Sequence, residues 1–217
     1  ATASTYTINN VQAGDAGTYR VKVSNSAGNV TSNGAVLMVI SVSTSVSGEI
    51  DTNSTWTVAQ GPYKVTGNIL VKSGVTLTIE PGVRVELQGA YKLDIDGVLQ
   101  AVGTAANPIL FTGSNWKGLE LDTNGSIIRY AKISGVSNDY AVRLKNGATL
   151  QDSEVNCQRG IYASNGSVVR DCKINISGST GVYASGSTIT GNEISGGNNY
   201  GANIEDHSIF RYNRVVS

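Results

Sequence analysis

The sequence predicts an all-β chain whose larger part is a parallel β-helix, a solenoid of about seven or eight short coils. A shorter strand-forming segment precedes it. Three observations carry this prediction. A strand–turn–strand phrase returns at near-regular spacing from residue 63 onward. Apolar and polar residues alternate within each copy, which is the period of a strand. The composition suits strands and tight turns, with 26 Gly, 3 Pro and only 15% charged residues. No window sustains a helical period.

The copies begin at Leu70, Leu93, Leu119, Val142, Ile161, Val182 and Ala202. Their spacing settles near about 20 residues, inside the range of solenoid repeats. Each copy should bury one face and pair its backbone with the coils above and below. A second column supports the register. Ala131, Ser153, Cys172, Asn192 and Asn213 each stand two residues before an aliphatic position: Ile133, Val155, Ile174, Ile194 and Val215. Small or amide side chains at one inward turn position can hydrogen-bond along the axis as a ladder.

The same alignment sets Cys157 level with Ile176, four residues along the strand from Cys172. That separation is about 13 Å at about 3.3 Å per residue, beyond the reach of a disulfide. Two buried free thiols acting as small hydrophobes are therefore expected.

From about residue 47 to 217 the chain resembles the right-handed parallel β-helix, or pectin-lyase-like, superfamily. The phrases that carry the resemblance are Gly67-Asn68-Ile69-Leu70-Val71, Val75-Thr76-Leu77-Thr78-Ile79-Glu80-Pro81-Gly82-Val83, Pro108-Ile109-Leu110-Phe111-Thr112 and Trp116-Lys117-Gly118-Leu119. They look like the opening coils of bacterial secreted and surface proteins. The resemblance implies an extracellular, cell-surface setting. The superfamily includes polysaccharide lyases, glycoside hydrolases, adhesins and structural proteins, so the fold leaves the function open.

Residues 1–42 read differently. Asp15-x-Gly17-x-Tyr19, followed by the alternating run Arg20 to Asn25, resembles the E–F–G strand region of immunoglobulin-like domains. Tyr19 would be the tyrosine corner, and Val21 stands where that family often has its second disulfide cysteine. The segment is shorter than a whole sandwich of about 100 residues. It is read as a partial domain, either a truncated one or one completed by strands from another chain, or else as a local strand pair packed on the β-helix.

The outward columns supply the candidate sites. Asp94, Asp96, Glu120 and Asp122 fall on adjacent coils and could gather oxygen ligands for Ca²⁺. The resemblance implies that such an acidic cluster, flanked here by Lys72, Arg143 and Lys145, could serve a Ca²⁺-dependent lyase. The alternative is a charge-alternated solvent face. Asp152 and Asp171, with Asp94 and Asp96, are the carboxylates available for glycoside hydrolysis. No long loop encloses them, and a smooth rod has little to exclude water from a reaction. Tyr162 and Tyr183 should stack on neighbouring coils, with Tyr140 and Tyr200 in the preceding turns. This row could bind sugar rings, or it could only stabilise the sheet. Arg129, Arg170 and Arg211 share a further column with Gln151 and Thr190.

His207 is the one histidine in the sequence, so a multi-histidine metal site is excluded. A net charge of zero without a basic stripe argues against nucleic acid. No apolar run reaches the roughly 18 residues of a membrane span. The sequence stops at Arg214-Val215-Val216-Ser217 without a visible cap, and such ends are expected to meet other copies or neighbouring domains. The function expected is a non-catalytic structural or adhesive module that can assemble end to end into fibres. The alternatives are a polysaccharide-binding module and a Ca²⁺-dependent lyase or a hydrolase.

Overall fold

In the larger part of the chain alternating apolar residues bury one face of most strands, and the coils stack those faces into a continuous core. The computed structural model describes residues 5–9, 11, 13–39, 43–197 and 200–216. The chain divides into two compact units, Ala1–Val42 and Ser43–Ser217.

The larger unit is a parallel β-solenoid with three strand faces per coil. Face one is built from Leu93–Ile95, Leu119–Leu121, Tyr140–Leu144, Arg159–Ser164, Thr180–Ser185 and Tyr200–Glu205. Face two is an eight-stranded sheet running from Ser54–Trp56 to Ile209–Arg211, so the solenoid has eight coils. Face three runs through Arg84–Leu87, Ile109–Gly113, Ala131–Ser134, Glu154–Cys157, Lys173–Ile176, Glu193–Gly196 and Arg214–Val216. The long strand Tyr63–Val71 turns the corner between faces one and three. Its first half pairs with Arg84–Leu87 and its second with Leu93–Ile95. All pairings within the solenoid are parallel, including Thr44–Ile50 with Tyr63–Val71.

Like side chains stack along each face. On face two, Ile79, Ala101, Ile128, Leu150, Val169 and Ile189 are paired from coil to coil, and all are buried. On face three the column is Val85, Phe111, Ile133, Val155, Ile174 and Ile194. Such burial contributes about 25 cal/mol per Å² of apolar surface.

The first repeat corrects the sequence register by one residue. Ile69, not Leu70, lies level with Leu93, and Leu70 lies level with Asp94. Ile69 is 1% exposed, whereas Leu70 is only partly buried. A one-residue slip moves a strand's side chains to the opposite face, and burial decides the register. The turn after Ile69 is two residues longer than the one after Leu93, which hid the offset: Thr76 pairs with Val98. Ser164, aligned by sequence with outward residues, is buried at its corner.

The corner between faces two and three is a single residue at positive φ: Tyr130, Asp152, Asp171, Gly191 and Tyr212. The next residue on each coil is the predicted ladder column. The Ser153 hydroxyl accepts from the Ala131 backbone N–H at 3.0 Å. Asn192 Oδ1 accepts from the Cys172 N–H at 2.9 Å, and Asn213 Oδ1 from the Asn192 N–H at 2.9 Å. The Asn192 amide also donates to the Val169 carbonyl at 3.0 Å. Each side chain thus satisfies backbone groups that a sharp corner would otherwise strand.

A second inner column, of serines, lies at the corner between faces one and two. Ser126, Ser167 and Ser187 are buried, and the Ser126 hydroxyl accepts from the Leu99 N–H at 3.1 Å. Where face one begins, Gly160, Gly181 and Gly201 fall in one column. A Cβ on Gly160 would collide with the Gly181 carbonyl oxygen, and one on Gly181 with that of Gly201. Both cysteines are free and buried, and Cys157 is level with Ile176.

The smaller unit is a strand pair folded in two steps. Gly17–Tyr19 pairs antiparallel with Ala35–Leu37, and Lys22–Asn25 with Gly28–Thr31. Tyr19 Oη donates to the Asp15 carbonyl at 2.6 Å. Thr5–Ile8 carries no strand. Val21, Val23, Val30, Val36 and Met38 are exposed.

Asn192→Ala strands the Cys172 N–H and the Val169 carbonyl. It should lower unfolding stability by about 2–4 kcal/mol, since each buried group left unpaired costs about 1–3 kcal/mol. Urea denaturation measures this, and a loss below about 1 kcal/mol would show that the ladder bonds are replaced by water.

Candidate functional site

On the outer side of face one, register brings Asp94, Glu120, Arg143, Tyr162, Tyr183 and Asn203 into one column. Alternation along each strand points them away from the core. The upper half of the column is a charge ladder. Lys92 Nζ lies 2.6 Å from Asp94 and 3.6 Å from Glu120. Lys145 Nζ lies 2.5 Å from Glu120 and 3.0 Å from Asp122. Burial pushes the Glu120 carboxyl up, but the Lys145 hydrogen bond and charge, with Lys92 and Arg143, outweigh it. The carboxyl is held below its ordinary value. The hydrogen bond to Glu120 likewise raises Lys145, against the opposing effect of burial.

Three of the four residues considered for Ca²⁺, namely Asp94, Glu120 and Asp122, therefore face ammonium groups. A hard cation needs six to eight oxygen ligands, and here lysines occupy that space. Among the described residues no group of three or more His, Cys, Asp or Glu is placed to hold a metal ion. Lys72, expected beside the cluster, instead reaches Glu49 at 2.5 Å.

Below the charges stands the aromatic row. The Tyr162 and Tyr183 rings stack at 5.0 Å with planes 5° apart, and Tyr140 meets Tyr162 edge-on at 5.7 Å. Tyr140 is buried, with the Arg159 guanidinium over its ring at 4.3 Å. Arg143 lies 5.4 Å from the centre of the Tyr162 ring and 2.5 Å from Asp139. The facing sides of Tyr162 and Tyr183 are spent on each other, which leaves their edges to solvent. A hydrogen bond from Tyr183 to Glu205 at 2.6 Å pushes its hydroxyl up to about 12. Tyr200 pairs with Thr180 through its backbone, and its side chain lies outside the described residues.

Of the remaining candidate carboxylates, Asp152 is engaged. Asp152 accepts from Arg129 Nε at 2.9 Å and from the Gln151 amide at 2.9 Å. Arg170 donates to Gln151 at 2.6 Å, so Arg129, Asp152, Gln151 and Arg170 form one bonded group. Asp152 and Asp171 border a recess of about 330 Å³ together with Lys132, Glu154 and Lys173. His207 is exposed at a turn.

A feature that residue chemistry alone did not single out is a groove of about 500 Å³ at the far edge of face three. Asn156, Asn175 and Ser195 occupy one strand position on three successive coils and form one side of it. The signal was present in the repeat: three uncharged hydrogen-bonding residues at one outward position.

Comparison with known proteins places these coils. Residues 48–133 match the family described as pectate-lyase like beta helix domain. A stretch of 63 residues is 43% identical to Protein bark beetle of Drosophila melanogaster. That stretch is 29% of this chain, and the chain spans about 2% of the length of that relative. No solved structure gives a significant match. After residue 133 the coils continue the same three faces in register, so the solenoid is one parallel β-helix, of which residues 48–133 carry the family match.

Burial raises the thiols of Cys157 and Cys172 from an ordinary value of 9.0 to about 11 and about 12. In the unfolded chain they ionise near that ordinary value, while the fold keeps them protonated. Between about pH 9 and 12 the unfolded state binds fewer protons, so their contribution to stability falls as pH rises. The double variant Cys157→Val/Cys172→Ser should lose less stability between pH 8 and 10 than the parent does, read by urea denaturation. Serine suits the second position because Ser153 fills it on the preceding coil. An unchanged slope would mean that neither thiol titrates with folding.

Proposed function

We propose that this chain is a non-catalytic extracellular module that provides a rigid structural or adhesive segment of a secreted or surface protein. The observation that supports this reading most is that the outer functional groups are spent on one another. Asp94, Glu120 and Asp122 are neutralised by Lys92 and Lys145, Asp152 by Arg129, and Tyr162 is stacked on Tyr183. An active site requires the reverse, with groups of unmet chemistry converging where a substrate can sit. Ladders of satisfied pairs instead stiffen a rod at every coil. The pectate-lyase-like match over residues 48–133 agrees with an extracellular setting, in which such domains often occur.

Incubation with polygalacturonate, alginate and neutral glycans, with Ca²⁺ supplied, should release neither unsaturated sugars nor new reducing ends. Release of either product contradicts the non-catalytic reading. Millimolar CaCl₂ should move the melting temperature by less than about 2 °C, a shift that corresponds to about 0.5–1 kcal/mol for a chain of this size. A larger rise, abolished by Asp94→Asn/Asp122→Asn, would restore the acidic ladder as a cation site.

A second reading is a polysaccharide-binding module in which Tyr162 and Tyr183, with Tyr200, meet the sugar, whereas Tyr140, also expected there, is buried. The part-exposed Tyr162 and Tyr183 rings favour it. Glycan binding that disappears in Tyr162→Ala/Tyr183→Ala would support it.

A further inference from the structure

At the corner between faces one and two the dipeptide Asn-Gly stands on three successive coils, as Asn124-Gly125, Asn146-Gly147 and Asn165-Gly166. Each pair forms the middle of a four-residue turn. The turns are closed by the Ser126, Ala148 and Ser167 N–H groups, which donate to the Thr123, Lys145 and Ser164 carbonyls at 3.2, 3.2 and 3.3 Å. All three asparagines are exposed. Asparagine is a thermolabile residue. Its weakness before glycine is that the next backbone nitrogen attacks the side-chain amide carbon, and glycine carries no Cβ to hinder the approach.

The three copies differ in what holds the reacting atoms. In the third copy the nucleophile is engaged. The Gly166 N–H donates to the Gly186 carbonyl at 2.7 Å, and the Asn165 N–H to that of Ser185 at 3.2 Å. In the second copy the side-chain amide is engaged at both ends. Asn146 Nδ2 donates to the Asp122 carbonyl at 2.9 Å, and Asn146 Oδ1 accepts from Asn165 Nδ2 at 3.3 Å. Both asparagines have φ of 53°, and Gly147 and Gly166 have φ of 85° and 79°, so these are type I′ turns. The first copy is built otherwise. Gly125 has φ of 91° but Asn124 does not share the positive region, which describes a type II turn. Among the described residues no hydrogen bond reaches the Asn124 side chain or the Gly125 N–H.

We propose that Asn124-Gly125 is a self-modification site at which the solenoid deamidates, while the same dipeptide on the next two coils is protected. The Gly125 nitrogen gives up its proton to solvent and bonds to Cγ of Asn124. The Cγ–Nδ2 bond breaks, and the amide nitrogen leaves as ammonia. Water then opens the cyclic imide at either of its carbonyls, which yields aspartate or isoaspartate. Either product places a new carboxylate close to Asp122, at the end of a ladder whose charges are otherwise paired. It also meets the next coil, because Asn124 Oδ1 lies 3.1 Å from where a Cβ on Gly147 would stand. Isoaspartate further lengthens the main chain just before Gly125, whose carbonyl accepts from Gln100 Nε2 at 2.6 Å, and Ser126, whose hydroxyl holds the Leu99 N–H. The modification therefore loosens this corner of one coil, whether the chain is a scaffold or an enzyme.

The test is prolonged incubation of the whole chain at mildly alkaline pH, followed by peptide mapping. The readouts are the mass rise of amide-to-carboxyl exchange and labelling by an isoaspartyl methyltransferase. Asn124 should convert about tenfold or more faster than Asn146 or Asn165, since an attack that must first break a hydrogen bond meets a higher barrier. In urea the three sites should convert at similar rates, because the protection belongs to the fold. Asn165→Gly keeps the positive φ and removes the donor to Asn146 Oδ1, so it should quicken conversion of Asn146 severalfold, with circular dichroism confirming the fold. The other Asn-Gly pair of the sequence, Asn33-Gly34, belongs to the smaller unit and reports the rate of a pair outside the solenoid. The proposal is overturned if Asn146 or Asn165 converts as fast as Asn124 in the folded chain, or if Asn124 keeps its amide while the chain in urea loses it. It is also overturned if the ranking persists in urea, or if Asn165→Gly leaves Asn146 unchanged.

Discussion

The whole solenoid depends on one constraint: the strand hydrogen bonds run between coils. Except where the chain turns back on itself within a corner, a coil's N–H and C=O groups find partners on the coils above and below. A side chain that fits one coil must therefore fit against its counterpart on the next. The requirement is strictest at the corners, where the chain turns within one residue of positive φ, as at Asp152 and Asp171. There the backbone cannot pair alone, and Ser153, Asn192 and Asn213 complete it. Repetition in the sequence is the written form of this constraint.

That is why so much of the fold is legible in the residues themselves. The inward columns repeat in kind as well as in spacing, so Leu93, Leu119, Val142, Ile161 and Val182 align with one another. The corner ladder is legible because its residues keep a fixed offset from an aliphatic position. The first coil reads one residue out of register because its turn is longer, and alternation by itself cannot choose between Ile69 and Leu70. Burial makes that choice, and burial is a property of the stacked coils.

The outer surface is harder to read, because register sets exposed residues in columns without fixing their side-chain contacts. Sequence places Asp94, Asp96, Glu120 and Asp122 on adjacent coils but gives no rotamers. Two lysines from other positions, Lys92 and Lys145, reach into the cluster and change a possible ligand set into a chain of ion pairs. Exposed pairs of this kind add little stability one at a time, about 0–1 kcal/mol each. Their effect here is to remove unmet charge from the surface. The groove is hidden in the sequence for the opposite reason. Asn156, Asn175 and Ser195 are ordinary surface residues singly, and only the stacking of their coils turns them into a periodic wall.

The most direct measurement is amide hydrogen exchange, resolved by residue, at the corners of the solenoid. The amides of Ala131, Cys172 and Asn192 are bonded to side chains of the next coil. If the ladders hold the stack together, these amides exchange as slowly as those in the middle of the strands, through global unfolding. Fast exchange at these three positions, with the strands still protected, would contradict the account: the corners would then open independently, and the stack would rest on its strands alone.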